Sequence, residues 1–321
     1  MNLFKNKFIS AIDSLKGRDL LSSADFDAEQ TRALLELALN LKYRKKSINL
    51  GNRVLGLVFS KASTRTRVSF SVAMAHLGGQ TIDLNPNVTQ LGRGESLIDT
   101  TRVLSRYCDA IAVRTFGQQE LIDYAHWSSV PVLNALTDLE HPCQALADFL
   151  TLHETFGNLQ GLILTYIGDG NNVAHSLMLC GVLLGVNIRI ASPKGFEPNN
   201  GIVERARLLA KEGATVTIMN DPLLAVRGAN ALYTDVWASM GQELEQVQRE
   251  KSFFGFCLNK NLLQEADNDA IILHCLPAHR GEEITSQVME DSASRIFDQT
   301  ENRLYVQQAL LAAVIGGKDL G

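Results

Sequence analysis

Val54-Leu55-Gly56-Leu57-Val58-Phe59-Ser60-Lys61-Ala62-Ser63-Thr64-Arg65-Thr66-Arg67 passes from an apolar run into three hydroxyls alternating with two guanidiniums. The run reads as a buried strand, and Val68, Val72 and Ala75 recur behind it at helical spacing. Ser63–Arg67 therefore falls at a strand-to-helix turn. The first N–H groups of a helix lack intrahelical acceptors, and the macrodipole is positive there. Hydroxyls add donors, and arginine adds a planar fork suited to phosphate. A helix cap with two solvated arginines would need only one of those hydroxyls. The stretch reads as an anion site, with phosphate the natural occupant.

Outward from this turn, apolar runs alternate with helical patterns, the signature of parallel α/β architecture. Upstream, Asp27 can cap a helix whose face is Leu34, Leu37 and Leu41, with Gln30 placed to close a capping box. Further strands are expected at Thr81–Leu84, Ala110–Arg114 and Val130–Asn134, followed by a helix from about Cys143 to Phe156. The pattern then restarts. Strands are expected at Leu162–Ile167, Val186–Ala191, Thr215–Met219, Ala231–Thr234 and Ala270–Cys275, with helices at Asn172–Leu184 and Ile202–Glu212. The tail from Asn302 to Ile315 reads as helical. Gly157-Asn158-Leu159-Gln160-Gly161 interrupts both periods and marks a seam. The expectation is two parallel-sheet α/β domains with helices on both faces, 1–145 and 155–300, with the helix 301–321 packing back on the first.

The chain has 321 residues, 45% of them hydrophobic, enough for two cores. Its 30 Lys plus Arg stand against 35 Asp plus Glu, a net charge of −5. That balance argues against nucleic acid or an anionic membrane as the main partner, so a basic site must be a local pocket. No apolar stretch approaches ~20 residues, so no membrane span is expected. Cys108, Cys143, Cys180, Cys257 and Cys275 are odd in number and widely spaced, as in a reducing compartment. Met1–Phe8 is slightly basic and reads as the mature start of a cytoplasmic protein, with a short organelle-targeting remnant as the alternative.

Ligands of open α/β sheets bind beyond the carboxyl ends of the strands, and the polar clusters follow strands. Gly168-Asp169-Gly170-Asn171-Asn172 invites a dinucleotide reading, but Val173 stands where the third glycine is needed, and Ala191-Ser192 where an acidic residue is expected. A tight turn with an asparagine cap is one alternative; Asn171 or Asn172 reaching a small polar substrate is another. His141-Pro142-Cys143-Gln144 could ligate zinc with His274, Cys275 and His279, yet none of the usual close ligand pairs occurs. His141 could instead donate to a carbonyl oxygen, or serve as a structural histidine. In His274-Cys275-Leu276-Pro277, neighbours on a strand point to opposite faces, which argues against a Cys–His nucleophile pair. Asp235, with Ser239-Met240-Gly241 after it, could hold an ammonium or merely cap a loop.

Together these clusters resemble the aspartate/ornithine carbamoyltransferase family, most closely its ornithine branch. The Ser63–Arg67 stretch and His141-Pro142-Cys143-Gln144 resemble the family's carbamoyl-phosphate motifs. Asp235 with Ser239-Met240-Gly241, and His274-Cys275-Leu276-Pro277, resemble the ornithine branch in particular. The resemblance implies that Ser63, Thr64, Arg65, Thr66, Arg114, His141, Gln144 and Arg303 bind carbamoyl phosphate, with Gln90 reaching the site of a neighbouring subunit in a homotrimer. It implies that Asn172, Asp235, Ser239, Met240, Cys275 and Leu276 bind ornithine, in a cleft between the domains. Arg65, Arg114, His141, Cys275 and Arg303 would be the catalytic set.

The implied reaction needs no cofactor and no metal, because carbamoyl phosphate is already activated. The neutral δ-amine of ornithine would attack the carbonyl carbon, a tetrahedral oxyanion would form, and phosphate would leave, giving L-citrulline. A role in arginine biosynthesis is expected rather than in breakdown, and assembly beyond the trimer is left open. Two rivals remain. One is a carbamoyltransferase for another amine, putrescine or N-acetylornithine; the other is a non-catalytic Rossmann-type anion-binding module, which would need neither Arg303 nor the second polar loop.

Overall fold

A computed structural model describes residues 2–85, 94–238 and 246–316, with the side chains of 2–6, 246 and 247 excepted. The chain forms two compact units, Met1–Leu150 with Asn302–Gly321, and Thr151–Glu301.

The first unit holds β1 (Val54–Phe59), β2 (Gln80–Leu84), β3 (Ala110–Arg114) and β4 (Val132–Leu136). All pairings are parallel, in the order β2-β1-β3-β4. β1, β3 and β4 are buried almost throughout, as expected for strands covered on both faces. Because crossovers are right-handed, reversal of direction between β1 and β3 puts helices on opposite faces of the sheet. One core cluster gathers Val58, Ile111, Val113, Leu121, Tyr124 and Val132. Each such side chain, fully buried, contributes about 1.5–3 kcal/mol. The helix Ala28–Lys42 begins with the capping box that Asp27 and Gln30 predict, and buries Leu34, Leu37 and Leu41.

The second unit holds β5 (Ile163–Ile167), β6 (Asn187–Ala191), β7 (Val216–Met219), β8 (Ala231–Thr234) and β9 (Ile271–His274), again all parallel, in the order β7-β6-β5-β8-β9. Its core joins Ile167, Leu232, Phe253, Ile272, Ile284 and Ile296.

Several expected bounds shift: the tail helix starts at Ile296 rather than Asn302, and the helix expected over Ile202–Glu212 runs Asn200–Leu209. β4 begins at Val132, two residues later than expected, because Pro131 has no N–H to give the ladder; its carbonyl accepts from Ile111 at 2.9 Å. The glycine-bounded stretch 157–161 lies wholly within the second unit. Leu159 is buried there, and the Gly161 N–H donates to the Gly185 carbonyl at 2.9 Å. The chain divides earlier than that stretch, inside the helix Pro142–Phe156 and between the expected bounds 145 and 155.

Candidate active site

In the first unit the strand order reverses between β1 and β3, and loops leaving the carboxyl ends of two such strands diverge to leave a crevice. Phe59 and Arg114 are register partners at that edge, so the turn after β1 and the Arg114 side chain start side by side. Thr64, at the cap position of the helix Arg65–His76, makes no side-chain cap bond. The hydroxyl thus does not do what the plain cap reading required, and the helix start keeps its positive dipole end.

Arg114, His141 and Arg303 are 6%, 4% and 3% exposed. Burial, then repulsion from Arg303, Arg65 and Arg67, lowers the Arg114 guanidinium to about 10. Burial, then Arg303, Arg114 and Arg65, holds His141 well below its usual value, so its imidazole is neutral. Three arginines and one neutral histidine are therefore brought together in a body of net charge −5. A dianion there relieves the mutual repulsion. Arg303 comes from the helix Ile296–Leu311, and its Nη2 donates to the Thr66 hydroxyl at 2.7 Å. Arg67 goes elsewhere: its Nε donates to Asp83 at 3.0 Å on the surface.

His141 directly precedes the helix Pro142–Phe156, where proline suits the first position; its carbonyl accepts from Gln144 N at 3.0 Å. Gln144 is buried and donates from Nε2 to Asp148 at 2.9 Å. Cys143 is buried beside them, and burial pushes its thiol up to about 12. Its Sγ donates to the Asn134 carbonyl at 3.5 Å. That is an inert thiol, not a thiolate ligand.

In the second unit the order reverses between β5 and β8. Ile167 pairs with Thr234 at their ends, and Thr234 with His274. Asp235, 6% exposed, follows β8 and is gripped from three sides. Oδ1 accepts from Cys275 Sγ at 2.8 Å and from Val236 N at 2.8 Å, while Oδ2 accepts from Asn171 Nδ2 at 2.8 Å. Asn172 is half-buried at the first position of the helix Asn172–Leu183. The alternation expected at His274-Cys275 holds: Cys275 turns to Asp235, and His274 to Glu283 at 3.0 Å. The Leu276 N–H donates to His274 Nδ1 at 2.8 Å, so Nε2 carries the proton given to Glu283. Leu276 has φ +59 and precedes a cis bond to Pro277.

Asp235, His274 and Cys275 bring ligand-type atoms within 4.8 Å of one another, as do His279, Glu282 and Glu283. Both nitrogens of His274 are already engaged, so the first group does not suit a metal. Of the glycines in Gly168-Asp169-Gly170, Gly170 serves packing, since a Cβ there would lie 2.2 Å from Pro198 N, and Gly168 serves the backbone, with φ +146. Gln90, Ser239 and Met240 lie outside the described residues.

Two features have no local signature in the sequence. Asp169 is buried against Arg249 at 2.7 Å, and Arg249 also donates to the Trp237 carbonyl at 2.8 Å. Tyr166 lies in the same region, where burial, then Asp235 and Asp169, pushes its hydroxyl well above the usual value.

Fold and site define a two-unit parallel α/β protein with a buried cationic cluster in one unit and an anchored carboxylate in the other. Residues 18–154 match the sequence profile of the aspartate/ornithine carbamoyltransferase carbamoyl-P binding domain, and residues 160–314 that of the Asp/Orn binding domain. The chain belongs to the aspartate/ornithine carbamoyltransferase family. It is 71% identical to the ornithine carbamoyltransferase of Prochlorococcus marinus (strain MIT 9313) over 96% of this chain and 97% of that one. The crystal structure of ornithine carbamoyltransferase from Gloeobacter violaceus superposes with TM-score 0.86 at 53% identity, over 94% of this chain and 100% of that one. The anabolic ornithine carbamoyltransferase of Campylobacter jejuni superposes with TM-score 0.86 at 37% identity, over 92% and 98%.

Proposed function

We propose that this chain transfers the carbamoyl group of carbamoyl phosphate to the δ-amine of L-ornithine, releasing L-citrulline and phosphate. The observation that carries the reading is the convergence of Arg65, Arg114 and Arg303 on a neutral His141 beside a helix start whose threonine does not cap it. The guanidiniums take the phosphate oxygens, and the neutral imidazole donates to the carbonyl oxygen. As the amine attacks, that oxygen becomes an oxyanion, and donors already aimed at it lower the barrier. Gln144 holds the carbamoyl amide, with Ser63, Thr64 and Thr66 at the phosphate end.

Asp235 takes the α-ammonium of ornithine, which leaves the side-chain amine free to react. Asn172 and Leu276, with Ser239 and Met240, hold the rest of the amino acid, and Cys275 fixes Asp235. Family membership supports these roles. The same support extends to a homotrimer in which Gln90 completes a neighbour's site, and the exposed apolar Val68 and Ile82 are suited to a subunit contact. The role in arginine biosynthesis is supported by the relative from Campylobacter jejuni, an anabolic ornithine carbamoyltransferase. No described helix is long and apolar enough to cross a membrane. A cytoplasmic location is supported by five cysteines that are all free thiols.

The test is citrulline and phosphate formation by purified protein offered ornithine, putrescine, N-acetylornithine or aspartate. Ornithine should far outperform the others. A comparable kcat/KM for putrescine would sink the assignment of Asp235 and with it the substrate.

A further inference from the structure

We infer that Asn171 is a positioning residue for ornithine, because its side chain caps a helix with one end and orients Asp235 with the other. The inference rests on the role given to Asp235 above. Asn171 Oδ1 accepts the N–H groups of Val173 and Ala174 at 2.9 and 3.2 Å, capping the helix Asn172–Leu183. The Tyr166 hydroxyl donates to the same oxygen at 3.3 Å. Three donors on one atom fix which end of the amide is oxygen. The other end is therefore the NH2, and it meets Asp235 Oδ2 at 2.8 Å.

Residue type decides the argument. Asp and Ser cap a helix as well as Asn does. Asp offers no donor and Ser has a single oxygen for both tasks, whereas Asn accepts at Oδ1 and donates from Nδ2, two separate atoms. An asparagine at this place therefore does something a cap alone does not require. Cys275 and Val236 hold Oδ1 of Asp235, so the Asn171 bond sets the rotation of the carboxylate about that anchored oxygen. That rotation aims the lone pairs left for an ammonium. Asn171 and Asp235 lie in the segments that follow β5 and β8, where the strand order reverses, so the bond spans the place where a ligand is expected.

The test compares Asn171→Ser and Asn171→Asp with the parent chain. Both keep the cap and lose the amide donor, and Asn171→Asp adds a second carboxylate beside Asp235. The melting temperature of Asn171→Ser should stay close to the parent's, and that of Asn171→Asp should fall because two carboxylates then face each other. KM for ornithine should rise about tenfold or more, as for loss of a hydrogen bond to a charged group, with KM for carbamoyl phosphate nearly unchanged. Asn171→Asp should in addition show a new ionisation in kcat/KM for ornithine, because two facing carboxylates share a proton. A parent-like KM for ornithine in Asn171→Ser overturns the inference, as does equal loss for both substrates. Failure of Asn171→Ser to fold also overturns it, since its cap is intact and it adds no charge. If the parent chain makes no citrulline from ornithine, the reading of Asp235 falls and the inference with it. If the parent does and the variants match it, only the positioning role falls.

Discussion

Arg303 and Thr66 stand 237 residues apart in the chain, and the guanidinium Nη2 donates to the threonine hydroxyl at 2.7 Å with both side chains buried. The hydroxyl aims a guanidinium that comes from the far end of the sequence. Thr66→Val keeps the shape and removes the acceptor. It removes one hydrogen bond to a charged group, and such bonds are worth about 1.5–3 kcal/mol. The expected result is a ten- to hundredfold loss, roughly, in kcat/KM for carbamoyl phosphate. Steady-state kinetics with each substrate varied checks this, and an unchanged value would mean that Arg303 needs no such guide.

His141 ties stability to pH. Burial and the arginines hold its folded-state value well below the unfolded one, which is near 6.5. Below about pH 6.5 the unfolded chain binds a proton that the folded chain refuses, so stability falls as pH drops through that window and is recovered above it. His141→Gln cannot charge in either state. Its urea-unfolding free energy should therefore lose less than the parent's between pH 7 and pH 5. Parallel pH slopes would show that His141 is not the group responsible.

Gly170 tests the packing around Asp235. A methyl group there would sit 2.2 Å from Pro198 N and 2.4 Å from Glu197 C, both backbone atoms that must move to admit it. Overpacking of this kind costs about 1–3 kcal/mol. Gly170→Ala should show that loss in urea unfolding, together with a raised KM for ornithine, because the displaced turn carries Asn171. A variant as stable as the parent would mean that the turn after β5 yields freely.

What was legible in the sequence, and what was not, divides along local and distant pairings. β1 and the turn after it could be read because an apolar period and a polar cluster abut in one short segment. Asp27 and Gln30 could be read because a capping box is complete within four residues. The helices Leu97–Tyr107 and Gln118–Trp127 escaped, although Ser96 caps the first by accepting from Asp99 N. Arg249 and Asp169 pair across 80 residues, and Asn171 and Asp235 across 64. Such pairs leave no periodicity at either end. Asn171 could be suspected as a cap, but its second bond needed the neighbouring strand.

Subunit mixing tests assembly. Gln90 lies outside the described residues, and its reach into a neighbour's site follows from the resemblance of the chain to its family. Arg65→Gly should cost about a hundred- to thousandfold in kcat, as for loss of one oxyanion donor. A Gln90→Ala variant should be impaired for the same site from the other side. Mixed under conditions that exchange subunits, the two variants should regain activity, because some sites then draw both residues from unaltered chains. No recovery after exchange has been demonstrated by mass spectrometry would mean that each chain carries a complete site.

The dependence of rate on pH follows from which groups are charged. An alkyl ammonium has a value near 10.4, so at pH 7 only a small fraction of the δ-amine of ornithine is neutral and able to attack. His141 is already neutral and adds no inflection near 6.5. Arg114, lowered to about 10, is still mostly charged at pH 9. Bound phosphate further favours its charged form. With carbamoyl phosphate saturating, kcat/KM for ornithine should therefore climb by about tenfold per unit from pH 7 toward 9. Positive charge around the phosphate favours the neutral amine, so carbamoyl phosphate should bind first and prepare the site for ornithine. The measurement is kcat/KM for ornithine from pH 6 to 9, with product-inhibition patterns to give the order. A flat profile with random binding would mean that some group other than the solvent-equilibrated amine controls the reaction, and that the arginine cluster does not set the order.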